Sequence, residues 1–202
     1  MINNSSVLVI EKPEYITFDD IHEVLWHANK KNREDGFVLR TSLLTGEQLK
    51  ARLGNEGKCF VALDKGCLIG TISVRFFDRN TWYAKGKVAD YMLAAVIPEY
   101  QKKHVNALLS EKVFSFAREK GCPVIELDTA ENNLNAINVY KHYGFKLVSY
   151  KANPGGDHYS VIMAKWLNIC PFSDLYCYLR FEIRKLITIL RYTPDKRKRL
   201  SF

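Results

Sequence analysis

The sequence predicts a mixed α/β sheet of about seven strands and about four helices, the mixture of layers expected when hairpins and crossovers share one chain. Two observations carry this. Apolar residues change period along the chain, from helical to strand-like and back. The order of elements combines antiparallel hairpins with a strand-helix-strand crossover. The apolar fraction of 47% supplies a core, and there is no internal repeat or Pro/Gly/Ser-rich linker.

Val7 to Ile10 reads as a first or edge strand. Thr17 has the character of a helix N-cap, with Asp20 three residues on and Ile21, Val24, Leu25 and Ala28 at helical spacing. A shorter helix starts at Thr45, carries Leu49 and Leu53 on one face, and closes at Gly54. Cys59 to Leu63 and Leu68 to Phe77 then read as strands flanking Asp64-Lys65-Gly66, a three-residue hairpin loop. Val88 to Ile97 is a further strand, stopped by Pro98. Val105 to Lys120 is a helix with Val105, Leu108, Leu109, Val113 and Phe116 inward and Gly121 as its stop. Val124 to Leu127 is a buried strand, Leu134 to Tyr143 a helix ended by Gly144, and Phe145 to Tyr150 and His158 to Met163 two more strands. The compact part spans about residues 5 to 167. Residues 168 to 202 form an appended basic helix and tail.

Composition narrows the function. The amino terminus has no basic segment followed by a long apolar run, which predicts a cytoplasmic location. Cys59, Cys67, Cys122, Cys170 and Cys177 contain no C-x-x-C pair, so they read as small buried hydrophobes rather than disulfides or zinc ligands. No metal cluster, P-loop, G-x-S-x-G elbow or dinucleotide glycine motif is present, which predicts metal-free chemistry.

At Pro98-Glu99-Tyr100-Gln101-Lys102-Lys103-His104-Val105-Asn106-Ala107, a strand passes through a polar turn into a helix. The amides at that helix start suit an anion such as a diphosphate, with Lys102 and Lys103 adding charge. The same residues also fit a plain basic loop. This stretch resembles the GNAT (Gcn5-related N-acetyltransferase) superfamily, whose loop reads Arg/Gln-x-x-Gly-x-Gly/Ala. Gln101 takes its first position, while His104 and Asn106 replace the two glycines. Asn106 tolerates left-handed geometry and is the residue expected to preserve the turn.

Asn133, Ala136, Ile137 and Tyr140 fall on one helical face, followed by Gly144-Phe145. The run is similar to the same superfamily's Asn-x-x-Ala-x-x-x-Tyr-x-x-x-Gly-Phe. The resemblance implies acetyl-CoA as cosubstrate, an amine of a small molecule or protein as acceptor, and a cofactor site formed by Ala95, Val96, Gln101, Lys102, Lys103, His104, Val105, Asn106, Ala107, Asn133, Ala136 and Tyr140. It also implies that the main chain of Met92 to Val96 meets the pantetheine arm and that Tyr140 stabilises the leaving thiolate. Asp90 lies where several members place a general base, and the same residue also fits a solvent-facing strand-end charge. Glu126 and Asp157-His158 are weaker candidates. The segments Asn32 to Ser42 and Asp78 to Lys87 are expected to shape the acceptor pocket, and Arg40, Arg75, Trp82 and Tyr83 favour an anionic or sugar-like acceptor. A GNAT-fold binding module with weakened CoA binding, and a transfer from another acyl donor at a membrane, are the alternatives.

The formal charge of +8 is concentrated at the end, where residues 171 to 202 carry a net +5. Leu175, Leu179, Ile183, Leu186, Ile187 and Leu190 share one helical face, and Arg180, Arg184, Thr188 and Arg191 another. Cations in its middle exclude a membrane span, at about 2.5 to 3.5 kcal/mol each. The apolar face is expected either to pack on the domain or in a homodimer, or to lie on the anionic inner membrane surface. A nucleic-acid partner is not expected, because no aromatic platform accompanies the basic run.

Overall fold

The alternating periods become seven strands and six α-helices among the residues described by the computed structural model, which are 7–34, 40–152 and 159–191. The strands are β1 (Val7–Glu11), β2 (Lys58–Asp64), β3 (Cys67–Asn80), β4 (Lys85–Val96), β5 (Val124–Ala130), β6 (Lys146–Ala152) and β7 (Tyr159–Trp166). The helices are α1 (Phe18–Ala28), α2 (Lys30–Glu34), α3 (Gly46–Leu53), α4 (Val105–Glu119), α5 (Leu134–His142) and α6 (Asp174–Arg191). The strands form one mixed sheet in the order β1-β2-β3-β4-β5-β7-β6. By contact density the chain divides into residues 1–78 with 89–122, and residues 79–88 with 123–202.

In the first unit, Thr17 and Thr45 each close a capping box on α1 and α3, satisfying amides that the helices leave open. Pleating sends Cys59, Val61 and Leu63 of β2 toward Ile21, Val24 and Leu25 of α1 and Leu49 and Leu53 of α3. The opposite parity sends Phe60 toward Phe116 of α4, ring centroids 6.0 Å apart. The β2–β3 loop is tighter than the expected three residues. Asp64 pairs with Cys67, leaving only Lys65 and Gly66, both at positive φ (49° and 81°). That is the type I′ geometry matched to strand twist.

Gly70 on β3 lies under α4. A Cβ there would sit 3.1 Å from the Ala95 carbonyl oxygen and 3.2 Å from Leu109 Cδ1. Gly70→Val therefore overpacks this contact and is expected to cost about 1 to 3 kcal/mol, read as a lower denaturation midpoint at unchanged m-value.

In the second unit, β7 pairs antiparallel with both β5 and β6, and α6 lies against β6. Residues 79–88 carry the β3–β4 turn, closed by Thr81 N–H donating to Ala84 O at 2.8 Å. Trp82 and Tyr83 are thereby drawn into the fold rather than an acceptor pocket. Tyr83 is buried, and the Trp82 indole donates to Val148 O at 3.1 Å and packs edge-on to Phe172 and Tyr176. Residues 35–39, within the other segment expected to shape that pocket, lie outside the described residues.

Several expectations change. Leu108 is exposed, not inward, and Cys67 is exposed while Cys170 is only partly buried. Helix α2 was not anticipated; its Lys-Lys-Asn-Arg-Glu sequence has no apolar period and buries no residue. On α6 the face that docks is not the leucine face. Cys177 and Phe181 are buried, whereas Leu175, Leu179, Ile183, Leu186 and Leu190 face outward.

Candidate active site

Strand β4 does not run as a regular ribbon. Tyr91 faces α4, its hydroxyl 2.9 Å from Ser110 Oγ and its ring beside Phe114. Two residues later, Leu93 should share that face. Instead Leu93 and Ala95 join the cluster of α1 and α3, and Met92 packs against the same cluster. Leu93 has φ of +52°. A bulge at Met92-Leu93 therefore turns the end of β4 over, and a bulge takes backbone groups out of the ladder.

Beyond β4, Pro98–Tyr100 forms a 3₁₀ turn. Gln101 then reaches back, its Nε2 donating to Val96 O at 3.0 Å, which ties the loop to the strand end. Tyr100 donates to Asp64 at 2.6 Å, a bond that holds its hydroxyl pKa above the ordinary value, and Lys103 lies over its ring. Lys102 and His104 are left-handed, at φ 61° and 62°, with Lys103 between them. Such alternation turns successive amides to one side as an anion nest.

His104 is the N-cap of α4 and makes no side-chain capping bond. The left-handed turn thus falls on His104, and Asn106, expected to preserve it, is already helical. The side chains of Lys102, Lys103 and His104 are exposed, Val105 is buried as the anchor, and Ala107 is partly exposed. Asn106 O accepts from Ser110 Oγ at 2.6 Å, which links the loop through Ser110 to Tyr91 of β4. The Tyr91–Ser110–Asn106 chain carries no sequence signal, because it joins residues from two elements by contact alone.

Asp90, on the same unit, accepts from Arg75 Nε at 2.8 Å and is largely buried. Arg75 also donates to Arg52 O at 3.3 Å. The guanidinium thus holds the Asp90 carboxylate by a charge-assisted hydrogen bond.

In the second unit, Asn133 is the N-cap of α5, its Oδ1 accepting from Ala136 N–H at 3.3 Å. Ile137 is buried, and Ala136 and Tyr140 are partly exposed. The Tyr140 ring meets Phe145 edge-on at 5.9 Å, and Phe145 N–H donates to Tyr140 O at 3.0 Å, so the Gly144-Phe145 end folds back on the tyrosine. Burial of its hydroxyl end pushes the Tyr140 pKa up to about 12, with the charge of Asp128 and then Tyr143 adding to the shift.

Glu126 of β5 is 3% exposed. It accepts from Arg79 Nη2 at 2.5 Å, from Arg79 Nε at 3.1 Å and from the Tyr83 hydroxyl at 2.9 Å. The Tyr83 pKa is raised, first by burial and then by Glu126. Glu126 is thus committed to structural bonds. Asp157 and His158 lie outside the described residues, among which no His/Cys/Asp/Glu group could hold a metal ion and no helix is long and apolar enough to cross a membrane.

Human N-acetyltransferase 8B is 30% identical over 125 residues, which make up 60% of this chain and 53% of that protein. The chain thus spans about half the length of this curated relative. Two solved structures share the fold. A GNAT-family acetyltransferase from Staphylococcus aureus Mu50 matches at TM-score 0.62 and 18% identity, covering 80% of this chain and 99% of that one. A GNAT-family acetyltransferase from Elizabethkingia anophelis with acetyl-CoA bound matches at TM-score 0.58 and 12% identity, covering 81% and 99%. Residues 18–145, well over half the chain, match the Acetyltransferase (GNAT) family, which shows that the chain belongs to that family.

Proposed function

We propose that the chain transfers an acetyl group from acetyl-CoA to an amine. The observation that carries this is the pair of left-handed residues, Lys102 and His104, at the start of α4. A non-glycine residue held there costs about 1 to 3 kcal/mol, and such strain concentrates at ligand sites. The diphosphate of the cofactor would meet the amides of this turn and the charge of Lys102 and Lys103. Backbone groups released at the Met92-Leu93 bulge, continuing through Ala95 and Val96, would bond the pantetheine arm. Bound there, acetyl-CoA supplies an activated acyl carbon. The amine nitrogen bonds to that carbon, the carbon–sulfur bond breaks, and the electron pair leaves on sulfur as the thiolate.

Tyr140 is the residue assigned to that thiolate. At a pKa of about 12 it would give up its proton to a thiolate, whose conjugate acid has a pKa of about 8.5, only uphill, by roughly 5 kcal/mol. Its role is therefore to donate a hydrogen bond to the developing charge. The attacking amine must lose a proton. Asp90 is the candidate for receiving it, directly or through water, once the hold of Arg75 is relaxed.

Titration calorimetry of the full chain with acetyl-CoA tests the reading. Saturable heat for one site supports it, and no heat at millimolar cofactor overturns it in favour of a fold retained for binding another partner. A thiol-release assay against a panel of amines then identifies the acceptor class.

His104→Gly removes left-handed strain of about 1 to 2 kcal/mol but returns about 0.4 to 1 kcal/mol of freedom to the unfolded chain. A net gain of about 0.5 to 1 kcal/mol is expected in chemical denaturation. Acetyl-CoA affinity is expected to hold or improve, because the amides and not the imidazole make the contact. A loss of affinity beyond tenfold would instead assign the imidazole to the phosphate.

A further inference from the structure

Helix α6 is clamped in one rotation about its axis. Cys177 and Phe181 are buried against β6, and the Phe181 ring meets Tyr150 edge-on at 6.0 Å. The Thr188 hydroxyl donates to Tyr150 O at 3.2 Å, and Lys185 lies over the Tyr150 ring. At the N-terminal end Lys146 pairs with Asp174 at 2.7 Å, Phe172 and Tyr176 pack on Trp82, and Arg180 stacks over Trp82. These contacts lie along one side of the helix. At 100° per residue the opposite side is Leu175, Leu179, Ile183, Leu186 and Leu190. All five are at least half exposed, with Leu190 at 75%. Because the seam fixes the rotation, the helix cannot roll to bury them on its own unit.

Arg184 and Arg191 lie in one row along the flank between the seam and this apolar strip, in line with Arg180, which is held on Trp82. Arg184 and Arg191 are exposed. Of the two acids on α6, Asp174 is neutralised by Lys146, which leaves Glu182 on the far flank. The sequence after Arg191 adds Lys196, Arg197, Lys198 and Arg199. We propose that this face of α6 docks on an anionic lipid surface, with the five apolar side chains in the headgroup–acyl boundary and the arginine row on the lipid phosphates. Charge selects this occupant over a second copy of the chain. Two α6 helices packed antiparallel, strip to strip, would bring their arginine rows to the same side and meet no anion there, whereas an anionic bilayer satisfies both features over the roughly 27 Å of the helix.

The test is flotation of the full chain with vesicles of phosphatidylcholine and phosphatidylglycerol in equal parts, against vesicles of phosphatidylcholine alone. The expected result is cofloating with the anionic vesicles, weakened by salt. Leu179→Gln with Leu186→Gln keeps helix propensity and removes apolar depth, and should weaken partitioning at least about tenfold. Arg184→Gln with Arg191→Gln should weaken it roughly tenfold. Both variants alter exposed residues, so unchanged circular dichroism and melting temperature are expected and are measured alongside. Absence from the anionic vesicle fraction overturns the proposal. So does partitioning unaffected by the leucine pair, or a dimer in sedimentation equilibrium that the leucine pair dissociates without any vesicle binding.

Discussion

Tyr140→Phe should lower the turnover number about 10²-fold while leaving acetyl-CoA affinity within a factor of two. The substitution keeps the ring that packs on Phe145, so the end of α5 is preserved. It removes only the hydroxyl, whose hydrogen bond is needed when negative charge reaches sulfur and hardly before. An interaction made mainly in the transition state lowers kcat and kcat/KM together. The raised pKa adds a second measurement. Because the hydroxyl stays protonated up to about pH 12, Tyr140 should contribute no basic limb to the pH–rate profile below about pH 11. Unchanged turnover in the variant would remove Tyr140 from the chemistry.

Arg79→Met should destabilise the second unit by about 3 kcal/mol at neutral pH. Glu126 is almost fully enclosed and would keep only the Tyr83 hydroxyl as a partner. Arg79 is itself 41% exposed, which places the expected cost at the low end of the range for a broken buried pair. Urea unfolding of both proteins at neutral pH gives the difference directly. A deficit under about 1 kcal/mol would mean that Glu126 is not left short of a partner.

These two residues mark how far the sequence could be read. Tyr140 was legible because the requirement is local. A helical face needs residues at three and four positions apart, and Asn133, Ala136, Ile137, Tyr140 and Gly144-Phe145 meet it within thirteen residues of chain. Glu126 was legible only as a charge on a buried strand. Its partners Arg79 and Tyr83 lie over forty residues earlier, on a turn that the sequence marked as pocket-forming. For α6 the sequence supplied the two faces correctly but not which one docks. The amphipathic pattern favours burying leucines, yet the clasp of Trp82, Phe172, Tyr176 and Phe181 fixes the helix the other way.

The sequence by itself determined the order of the strands and of the helices other than α2, the cap at Thr17, the helix start at Thr45, and the family motif on α5, because each depends on residues within one or two turns of one another. Tertiary structure decided the bulge that turns β4 over after Tyr91, the left-handed strain borne by His104, the capture of Asp90 by Arg75, and the outward leucine strip of α6. In each of these the deciding partner comes from another element, and only packing selects among the arrangements that local preference allows.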